Sequence, residues 1–478
     1  MEEVIVIGSG LGSLTAAALL AQKGLKPTIL EQNWIPGGCT TSYSRKGFVF
    51  EAGATTLVGL DENMPLRQFL DQTGIQIETR KLKLPMQVHL ADGRIVNKYQ
   101  NIEKWISEAE KHFGGNQRTF WENTYQLSQF VWEASTRYLD FPPSKPIDFL
   151  RLAAKARVQD ILKARYSFVS TASRLPRNQP DDQFKQYIDQ QLLITAQNTA
   201  REVNFLFGAA ALCYTNYSNH YIDGGLINLV NPILKYIRSK GGTIFCRNGV
   251  QQIIKKKDHY IIHTKTNTYK SRFLISGIPI NNMMTVAPEI ISPGSKRKIL
   301  TPDKLYSAFQ IGIVFKSQRH FESIHHQIHL SEPLPETHSN SIFMSLNHEA
   351  DLTRSSVPET RVASISTHIS NPLSQVNTAW LGAKIIDVLE ARGFLRKTDI
   401  IYAHSSGPKS WAKWTGRAHG FVGGYPQYHQ TKPWQMIGAR LDGYRAYQCG
   451  DTAYPGQGIP GVTLSGMTAA KRLINDWI

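Results

Sequence analysis

Residues 4–13 read Val4-Ile5-Val6-Ile7-Gly8-Ser9-Gly10-Leu11-Gly12-Ser13, and this stretch decides the fold. Its first four residues are an uninterrupted apolar run, which is typical of a strand buried on both faces of a parallel sheet. The glycines that follow predict a tight turn, and a helix is expected from about Leu14 to Lys23. A strand, a glycine-rich turn and a helix in this order predict the first half of a dinucleotide-binding βαβ unit.

The turn has the composition that a pyrophosphate site needs. Gly8 permits the tight turn, and Gly10 lets the backbone approach a pyrophosphate, whose charge is met by the helix N–H groups and dipole. Ser13 stands where a third glycine is usual, and its small side chain still permits close packing of the helix on the strand. The expected binding loop comprises Gly8, Ser9, Gly10, Leu11, Gly12 and Ser13.

A second strand follows the helix and ends on an acid. Gly24 ends the helix, Thr28-Ile29-Leu30 reads as the strand, and Glu31 follows it directly. Glu31 lies about 20 residues beyond the glycines, where a carboxylate accepts hydrogen bonds from ribose hydroxyls and repels a 2′-phosphate. The sequence therefore predicts that NAD or FAD is bound here.

Two further segments distinguish between these cofactors. The first reads Pro36-Gly37-Gly38-Cys39-Thr40-Thr41, and the second reads Gly47-Phe48-Val49-Phe50-Glu51-Ala52-Gly53-Ala54. Together they resemble the FAD-dependent amine oxidase and phytoene desaturase superfamily, and the resemblance implies FAD. Glycines at these positions bring no Cβ between the main chain and a ligand, so Gly37, Gly38, Cys39 and Gly53 are expected to lie against the flavin.

The C-terminal region has a matching pattern. Ala446-Tyr447-Gln448-Cys449-Gly450-Asp451 reads as a strand and turn, and a glycine-rich stretch leads into a helix from about Val462 to Trp477. The resemblance implies that Asp451, beside Gly450, contacts the flavin ribityl chain. It also implies that backbone near Gly458 and Ile459 approaches the isoalloxazine ring.

The middle of the chain returns to the cofactor. Tyr221-Ile222-Asp223-Gly224-Gly225 leads into a helix that ends near Lys240, and a strand follows. In the resembling family the residue that matches Val250 makes backbone hydrogen bonds to the adenine. The family's Asn-Ala pair after a later strand is replaced here by Ser276-Gly277, which departs from the pattern.

The resemblance extends over almost the whole chain and is closest to the carotenoid desaturase and isomerase branch, which includes the retinol saturases. The segments around Gly37–Thr55, Gly416–Gln427 and Tyr454–Gly458 look most like the carotenoid C-3′,4′ desaturases. The implied activity is desaturation of a long apolar polyene, with hydride passing from an allylic C–H to FAD. A carotenoid cis–trans isomerase that uses reduced FAD and a polyene or retinol saturase are the alternatives, and a flavin-binding carotenoid carrier without turnover is the alternative of a different class. No side chain is identified as catalytic.

The expected fold class is α/β, with a Rossmann-type FAD-binding domain assembled from discontinuous segments and an inserted α+β substrate-binding lobe. Residues 1–60, 218–278 and 400–478 are expected to form the FAD-binding domain. Residues 61–217 and 279–399 are expected to form the substrate-binding and membrane-docking lobe, because they lie outside the cofactor motifs and are rich in aromatic and aliphatic residues.

Charge predicts a further partner. The 478-residue chain has 54 Lys and Arg against 37 Asp and Glu, a net charge of +17. Within 145–177, basic residues alternate with apolar ones, which predicts a basic amphipathic helix in the headgroup region of an anionic membrane. Nucleic acid is disfavoured because no recognised binding motif accompanies the charge. Four dispersed cysteines fit a reducing cytoplasm, so the expected location is cytoplasmic and peripheral to a membrane.

A histidine group at His320, His325, His326 and His329 raises the possibility of a metal site. His325 and His329 would share a face of a helix, but Gln327-Ile328-His329-Leu330 reads as a strand and no acid or Cys completes a ligand set. His348 and Glu349 are adjacent and are not expected to act as an acid–base pair. No metal is predicted.

Overall fold

The computed structural model describes residues 1–176, 182–337 and 339–478. Its strands are β1 (Glu2–Ile7), β2 (Pro27–Leu30), β3 (Ser42–Arg45), β4 (Phe48–Glu51), β5 (Arg80–Lys81), β6 (Met86–His89), β7 (Ile95–Lys98), β8 (His220–Tyr221), β9 (Thr243–Phe245), β10 (Val250–Lys255), β11 (Tyr260–Thr264), β12 (Thr268–Ser276), β13 (Ser307–Lys316), β14 (His325–Leu334), β15 (Ser339–Leu346), β16 (Thr360–Ile369), β17 (Ile400–Ser406) and β18 (Ala446–Gln448).

Its α-helices are α1 (Leu11–Gln22), α2 (Pro65–Thr73), α3 (Ile102–Phe113), α4 (Arg118–Arg137), α5 (Pro146–Ala153), α6 (Val158–Ala164), α7 (Asp182–Ala196), α8 (Phe205–Leu212), α9 (Ile227–Ser239), α10 (Ile280–Val286), α11 (Pro293–Lys296), α12 (Thr378–Ala391), α13 (Pro408–Thr415) and α14 (Ile459–Trp477).

The first sheet has the strand order β10-β11-β12-β1-β2-β9, and β18 also pairs with β12. β1 runs parallel to β12 and β2, while β10 and β11 form an antiparallel extension. Val4 and Val6 point into a core with α1, α9 and α14, whereas Ile5 and Ile7 point into a second core with α10. Burial of β1 on both faces explains its continuous apolar sequence. The predicted α/β dinucleotide fold, assembled from discontinuous segments, is confirmed.

The second sheet has the order β17-β13-β16-β15-β14-β6-β7 and is antiparallel except between β14 and β6. Its side chains alternate between two faces. Phe309 and Ile311 of β13 pack with Ile365 of β16 into a core that α12 covers. The opposite face carries Ala308 and Gln310, and it lines a cavity described below.

The predicted lobe boundaries differ in part from the strand pairing. β17 pairs with β13 along most of its length, so Ile400–Ser406 belong to the second sheet and not to the dinucleotide fold, where the boundary at residue 400 places them. Leu66 and Phe69 of α2 pack into the core of the first sheet, as does Ile280 of α10 into its other core. These contacts depend on distant chain segments, so local sequence patterns do not reveal them.

The predicted basic helix over 145–177 is wrong in detail. The segment forms two short helices, α5 and α6, and further short turns, while Arg177 lies outside the described residues. The chain turns at Lys155, whose carbonyl accepts a hydrogen bond from Tyr138 Oη at 3.1 Å, and Arg157 is extended. Tertiary contacts therefore interrupt the helix. Among the described residues, no helix is long and apolar enough to cross a membrane.

Candidate functional site

The first turn of α1 faces the point where β1 and β2 end. The helix begins at Leu11, three residues earlier than the sequence predicts, because Gly10 already has the extended conformation of a cap. Gly8 has a φ of 81°, and its amide donates to the Leu30 carbonyl at 2.8 Å. A Cβ on Gly10 would meet no atom within 4 Å, so open space adjoins the turn. The N–H groups of a helical first turn beside open space suit an anionic ligand.

Close packing against the C-terminal region explains Gly12 and Ser13. A Cβ on Gly12 would lie 3.0 Å from the Val462 carbonyl oxygen and 3.1 Å from the Gly450 nitrogen. A Cβ on Gly277 would overlap Ser13 Oγ. Ser13 in place of glycine and Gly277 in place of alanine are the two departures from the family pattern. They compensate each other, because the loss of a side chain at Gly277 makes room for the larger Ser13.

Glu31 and Val250 lie at the same end of the first sheet. The Glu31 carboxylate accepts hydrogen bonds from Ser9 N at 2.8 Å, Ser9 Oγ at 2.6 Å and Asn33 N at 2.7 Å. Its backbone carbonyl accepts from Asn248 N at 2.8 Å, two residues before Val250 begins β10. The carboxylate is thus held directly beside the glycine turn.

The glycine doublet closes over that turn. Gly37 N donates to the Ser9 carbonyl at 3.1 Å, and Gly37 has a φ of 108°. A Cβ on Gly38 would lie 3.2 Å from Gly10 Cα. The Cys39 carbonyl accepts from Ala54 N at 2.9 Å, which places Gly53 against Cys39. Burial raises the pKa of the Cys39 thiol, so Cys39 is a neutral thiol.

The C-terminal motif lies across from the doublet. β18 runs parallel to β12, and Gly450 follows it with a φ of 96°. Asp451 forms an ion pair with Arg417 at 3.0 Å, and Arg417 Nε donates to the Phe421 carbonyl at 2.7 Å. α14 begins at Ile459, directly after Gly458 and three residues earlier than predicted. The Asp451 charge is therefore balanced by a cation that the sequence analysis does not identify.

A cavity of about 470 Å³ adjoins these segments. Cys39, Gly53, Asp451, Gly458 and Ile459 line one side of it. The remaining predicted cofactor residues lie away from its lining, along the end of the first sheet. The volume is within the range of pockets that hold small-molecule ligands.

The rest of the cavity is built by the second sheet and by two helices. Gln310 of β13 lines it together with alternate residues of β16, which are Ser364, Ser366 and His368. The facing wall is largely apolar and includes Val131 and Trp132 of α4 and Leu206, Phe207 and Ala210 of α8. Such a wall favours an apolar ligand over a charged one.

His368 and Gln197 form a polar pair within this lining. Gln197 Nε2 lies 3.1 Å from His368 Nε2, and Gln197 has a φ of 54°. Burial lowers the pKa of His368 to about 4, so its imidazole is neutral at physiological pH. Sequence reasoning identifies neither residue, because only the register of β16 shows which of its side chains face the cavity.

The histidine group does not form a metal site. No group of His, Cys, Asp and Glu side chains within the described ranges could hold a metal ion. His325, His326 and His329 lie on β14, as the strand pattern predicts, and burial lowers the pKa of each. His348 lies in a turn after β15, while Glu349 pairs with His320 at 3.0 Å.

Comparisons with known proteins agree with this architecture. Residues 6–73 match the family of NAD(P)-binding Rossmann-like domains. The chain is 23% identical to prolycopene isomerase 1 of an Oncidium hybrid, over 99% of this chain and 84% of the relative. It is 24% identical to the neurosporene-forming phytoene desaturase of Rhodobacter capsulatus, over 54% of this chain and 48% of the relative.

The fold is also that of a solved amine oxidase. The structure of putrescine oxidase bound to putrescine superimposes with a TM-score of 0.66, covers 99% of each chain and is 15% identical. At this identity the likeness concerns the fold, whereas the sequence relatives span the cofactor motifs and both sheets. The chain is therefore an FAD-dependent oxidoreductase that is similar in sequence to prolycopene isomerases and to a phytoene desaturase.

Proposed function

We propose that FAD lies along the end of the first sheet, with its ring against the cavity. The first turn of α1 beside Gly10 would hold the pyrophosphate, and Glu31 would accept from the ribose hydroxyls in place of Ser9 Oγ. Val250 would meet the adenine. The open space over Gly10 and the positive φ of Gly37 support this fit, because both let the backbone lie directly against a ligand.

The flavin end of the cofactor would meet the segments that line the cavity. Gly53 and Cys39 lie on one side, and Gly458 and Ile459 at the start of α14 lie on the other. Asp451 would bind the ribityl chain, held by its ion pair with Arg417. The helix dipole of α14 favours negative charge on a reduced ring at its N-terminus.

We propose further that the substrate is a long apolar polyene of the carotenoid type, bound in the cavity. The observation that carries this proposal is that one cavity is lined both by the predicted flavin-contacting residues and by the apolar side chains of α4 and α8. When bound, FAD supplies a hydride acceptor. The protein's own part is to hold an allylic C–H beside it and to exclude water.

Desaturation is the first candidate reaction, on the resemblance of residues 37–55 and 416–427 to the C-3′,4′ desaturases. Isomerisation is the second candidate, because the similarity to a prolycopene isomerase spans 99% of this chain. Saturation and a carrier role without turnover are the other outcomes. Product analysis after incubation with a panel of carotenoids in liposomes tests the proposal.

The masses of the products decide between these reactions. A product two mass units lighter per new double bond supports desaturation, and an unchanged mass with altered cis–trans geometry establishes isomerisation instead. A heavier product establishes a saturase. Absence of any product, with the polyene bound, would leave the carrier role.

Peripheral membrane docking completes the proposal. We define the docking surface as the exposed apolar residues of the 146–168 segment and a nearby loop, with the basic residues beside them; these are Phe149, Leu150, Val158, Ile161, Leu162, Phe168, Trp434, Lys155, Arg157, Lys163 and Arg165. Val158 is 75% exposed and Leu150 67%, which is unusual for side chains of this type. An amphipathic surface of this composition suits an anionic headgroup region.

The docking surface adjoins the cavity. The Phe168 ring contacts the Trp434 ring with centroids 5.5 Å apart, and Pro433, next to Trp434, lines the cavity. Among the described residues, Lys163 and Arg165 have no carboxylate partner, so their charge is available to lipid headgroups. A polyene dissolved in the bilayer would then reach the cavity without crossing water.

A further inference from the structure

Desaturation of a polyene releases a proton as well as a hydride, and the cavity holds few groups that could take the proton. The ionisable side chains in its described lining are Cys39, Tyr214, His368, Asp451 and Tyr454. Burial raises the pKa of Cys39 and of both tyrosines, so these three stay protonated and cannot accept. Asp451 is engaged with Arg417. His368 remains as the one uncharged acceptor in this set.

The position of His368 follows from the second sheet. Ser364, Ser366, Thr367 and His368 of β16 line the cavity, while Ala363 and Ile365 pack into the opposite core. The His368 imidazole therefore projects from a central strand, which restricts its movement. Its neighbour Gln197 directly follows α7 and also lines the cavity.

The hydrogen bond to Gln197 determines which nitrogen is free. The Gln197 side-chain oxygen, Oε1, is buried without a hydrogen-bond partner. The Gln197 side-chain nitrogen, Nε2, is the atom that lies next to His368 Nε2. If the Gln197 amide is rotated by 180°, its Oε1 accepts a hydrogen bond from Nε2–H of His368. This arrangement satisfies the buried Gln197 oxygen and leaves the lone pair on His368 Nδ1 free to accept a proton. Within the part of the chain that the structure describes, Nδ1 of His368 has no hydrogen-bond partner.

The pair also lies near the cofactor segments. A Cβ on Gly423 would lie 2.5 Å from Gln197 Cδ and 2.8 Å from Gln457 Oε1, so these side chains meet at Gly423. Gln457 directly precedes Gly458, and a Cβ on Gly424 would lie 2.8 Å from the Cβ of Asp451. His368 is thus placed at the flavin end of the cavity.

We propose that His368 accepts, at Nδ1, the proton that the polyene loses during desaturation. This inference rests on the proposed function. Bound FAD would supply the acceptor for the hydride, which is the hydrogen and electron pair of one allylic C–H bond. The neighbouring C–H bond breaks heterolytically, its electron pair forms the new C=C bond, and its proton passes to the imidazole.

A weak base is adequate for this step. Hydride loss leaves positive charge that the polyene spreads along its conjugated chain, and this charge makes the adjacent C–H acidic. Before the reaction a neutral imidazole, unlike a carboxylate, brings no buried charge into the apolar cavity. Gln197 acts as a positioning residue that holds the ring.

The test compares the wild-type protein with His368→Gln, which keeps a hydrogen bond to Gln197 but cannot take a proton. The matched control is His404→Gln on β17, which β13 separates from β16 and which is outside the cavity lining. The probe is the carotenoid of the liposome panel that yields most product, deuterated either at the carbon that loses hydride or at the carbon that loses the proton. Flavin content and the absorption shift of bound polyene report folding and binding.

We expect His368→Gln to bind flavin and polyene normally and to lower the rate of product formation about 100-fold or more, because His368 acts after hydride loss. The isotope effect at the proton-losing carbon should rise, since that bond cleavage becomes limiting. Wild-type rate and isotope effects in a flavin-loaded His368→Gln protein would overturn the assignment. If that variant binds no flavin, Gln197→Met serves as the test, and an unchanged isotope effect there likewise overturns it.

The two proposals fail separately. Wild-type protein that returns product of unchanged mass and never bleaches its flavin overturns desaturation, and the role of His368 with it. Wild-type bleaching together with an unaffected His368→Gln protein overturns only the role of His368.

Discussion

The carboxylate of Asp148 on α5 is ion-paired with the guanidinium of Arg440 at 2.5 Å, and both side chains are buried. Asp148 also pairs with Arg472 on α14, while Arg440 continues to Asp476 at 2.7 Å. This network ties the first helix of the docking surface to the helix that begins at the proposed flavin site. Fixed ionic contacts of this kind orient α5 relative to the cavity.

We expect Asp148→Asn to lower the free energy of unfolding by about 3–5 kcal/mol, because it leaves two buried guanidinium groups undercompensated. Burial alone would raise the pKa of Asp148, but hydrogen bonds from Arg440 and from the backbone of Ser144 and Lys145 lower it overall. The contribution of Asp148 to the free energy of unfolding is therefore present at neutral pH, and it is lost as the pH falls through the lowered pKa of Asp148. Denaturant unfolding at pH 7 measures the effect.

The control is Asp387→Asn, which removes the carboxylate of an exposed pair with Lys384. An exposed pair contributes between about 0 and 1 kcal/mol, so this variant should behave like the wild type. Equal stability of the Asp148 and Asp387 variants would contradict the structural role of the network.

The cofactor assignment predicts that Glu31→Ala together with Asp451→Ala abolishes FAD binding, because the two carboxylates anchor the ribose and the ribityl chain. The absorption spectrum of the purified protein measures bound flavin. A matched double variant, Asp387→Ala with Asp399→Ala, removes one exposed and one half-buried acid and should keep stoichiometric flavin. A folded Glu31/Asp451 variant that retains flavin would show that the site is elsewhere.

Reversible binding to anionic liposomes is expected, with release at high salt, because headgroup attraction is screened. Charge reversal at Lys155, Arg157, Lys163 and Arg165 should weaken sedimentation with liposomes. The same change at four exposed lysines of the first sheet should have less effect, and these are Lys256, Lys257, Lys265 and Lys270. If both reversals weaken binding equally, net charge and not the docking surface is responsible.

Lys98 predicts a pH-dependent stability. It is fully buried, its ammonium lies 3.8 Å from the ring centroid of Trp105, and burial lowers its pKa to about 7. Since the folded pKa is below the unfolded one, the cost of burying the charge is complete below about pH 7 and declines as the pH rises. Lys98→Met should therefore stabilise the protein, and more at pH 6 than at pH 9.

Thermal unfolding at the two pH values measures the effect, with exposed Lys256→Met as the control. The same stabilisation by Lys98→Met at both pH values would mean that Lys98 does not change its protonation between them. A loss of stability at pH 6 would mean that the contact with Trp105 outweighs the cost of desolvation.

The fold of the dinucleotide-binding sheet can be predicted from the sequence because its signals are local. A glycine turn between a strand and a helix, with Glu31 at the next strand end, has one ready structural interpretation. The substrate half depends on distant contacts. The inward direction of His368 requires the register of β16, the break at Lys155 requires Tyr138, and the assignment of Ile400–Ser406 requires their pairing with β13.

Departures from the family pattern are equally hard to interpret one at a time. In the sequence, Gly277 suggests the loss of a flavin contact. The structure shows that a side chain at this position would overlap Ser13. Arg417 gives no signal in sequence as the partner of Asp451, since 34 residues separate them.

Anaerobic single turnover in liposomes determines whether the protein oxidises a polyene in the cavity beside the flavin. Flavin absorbance and product mass are followed together, with enzyme in excess over carotenoid. The account predicts that one flavin is bleached for each double bond formed, with a product two mass units lighter per bond. Product of unchanged mass with the flavin still oxidised would contradict it.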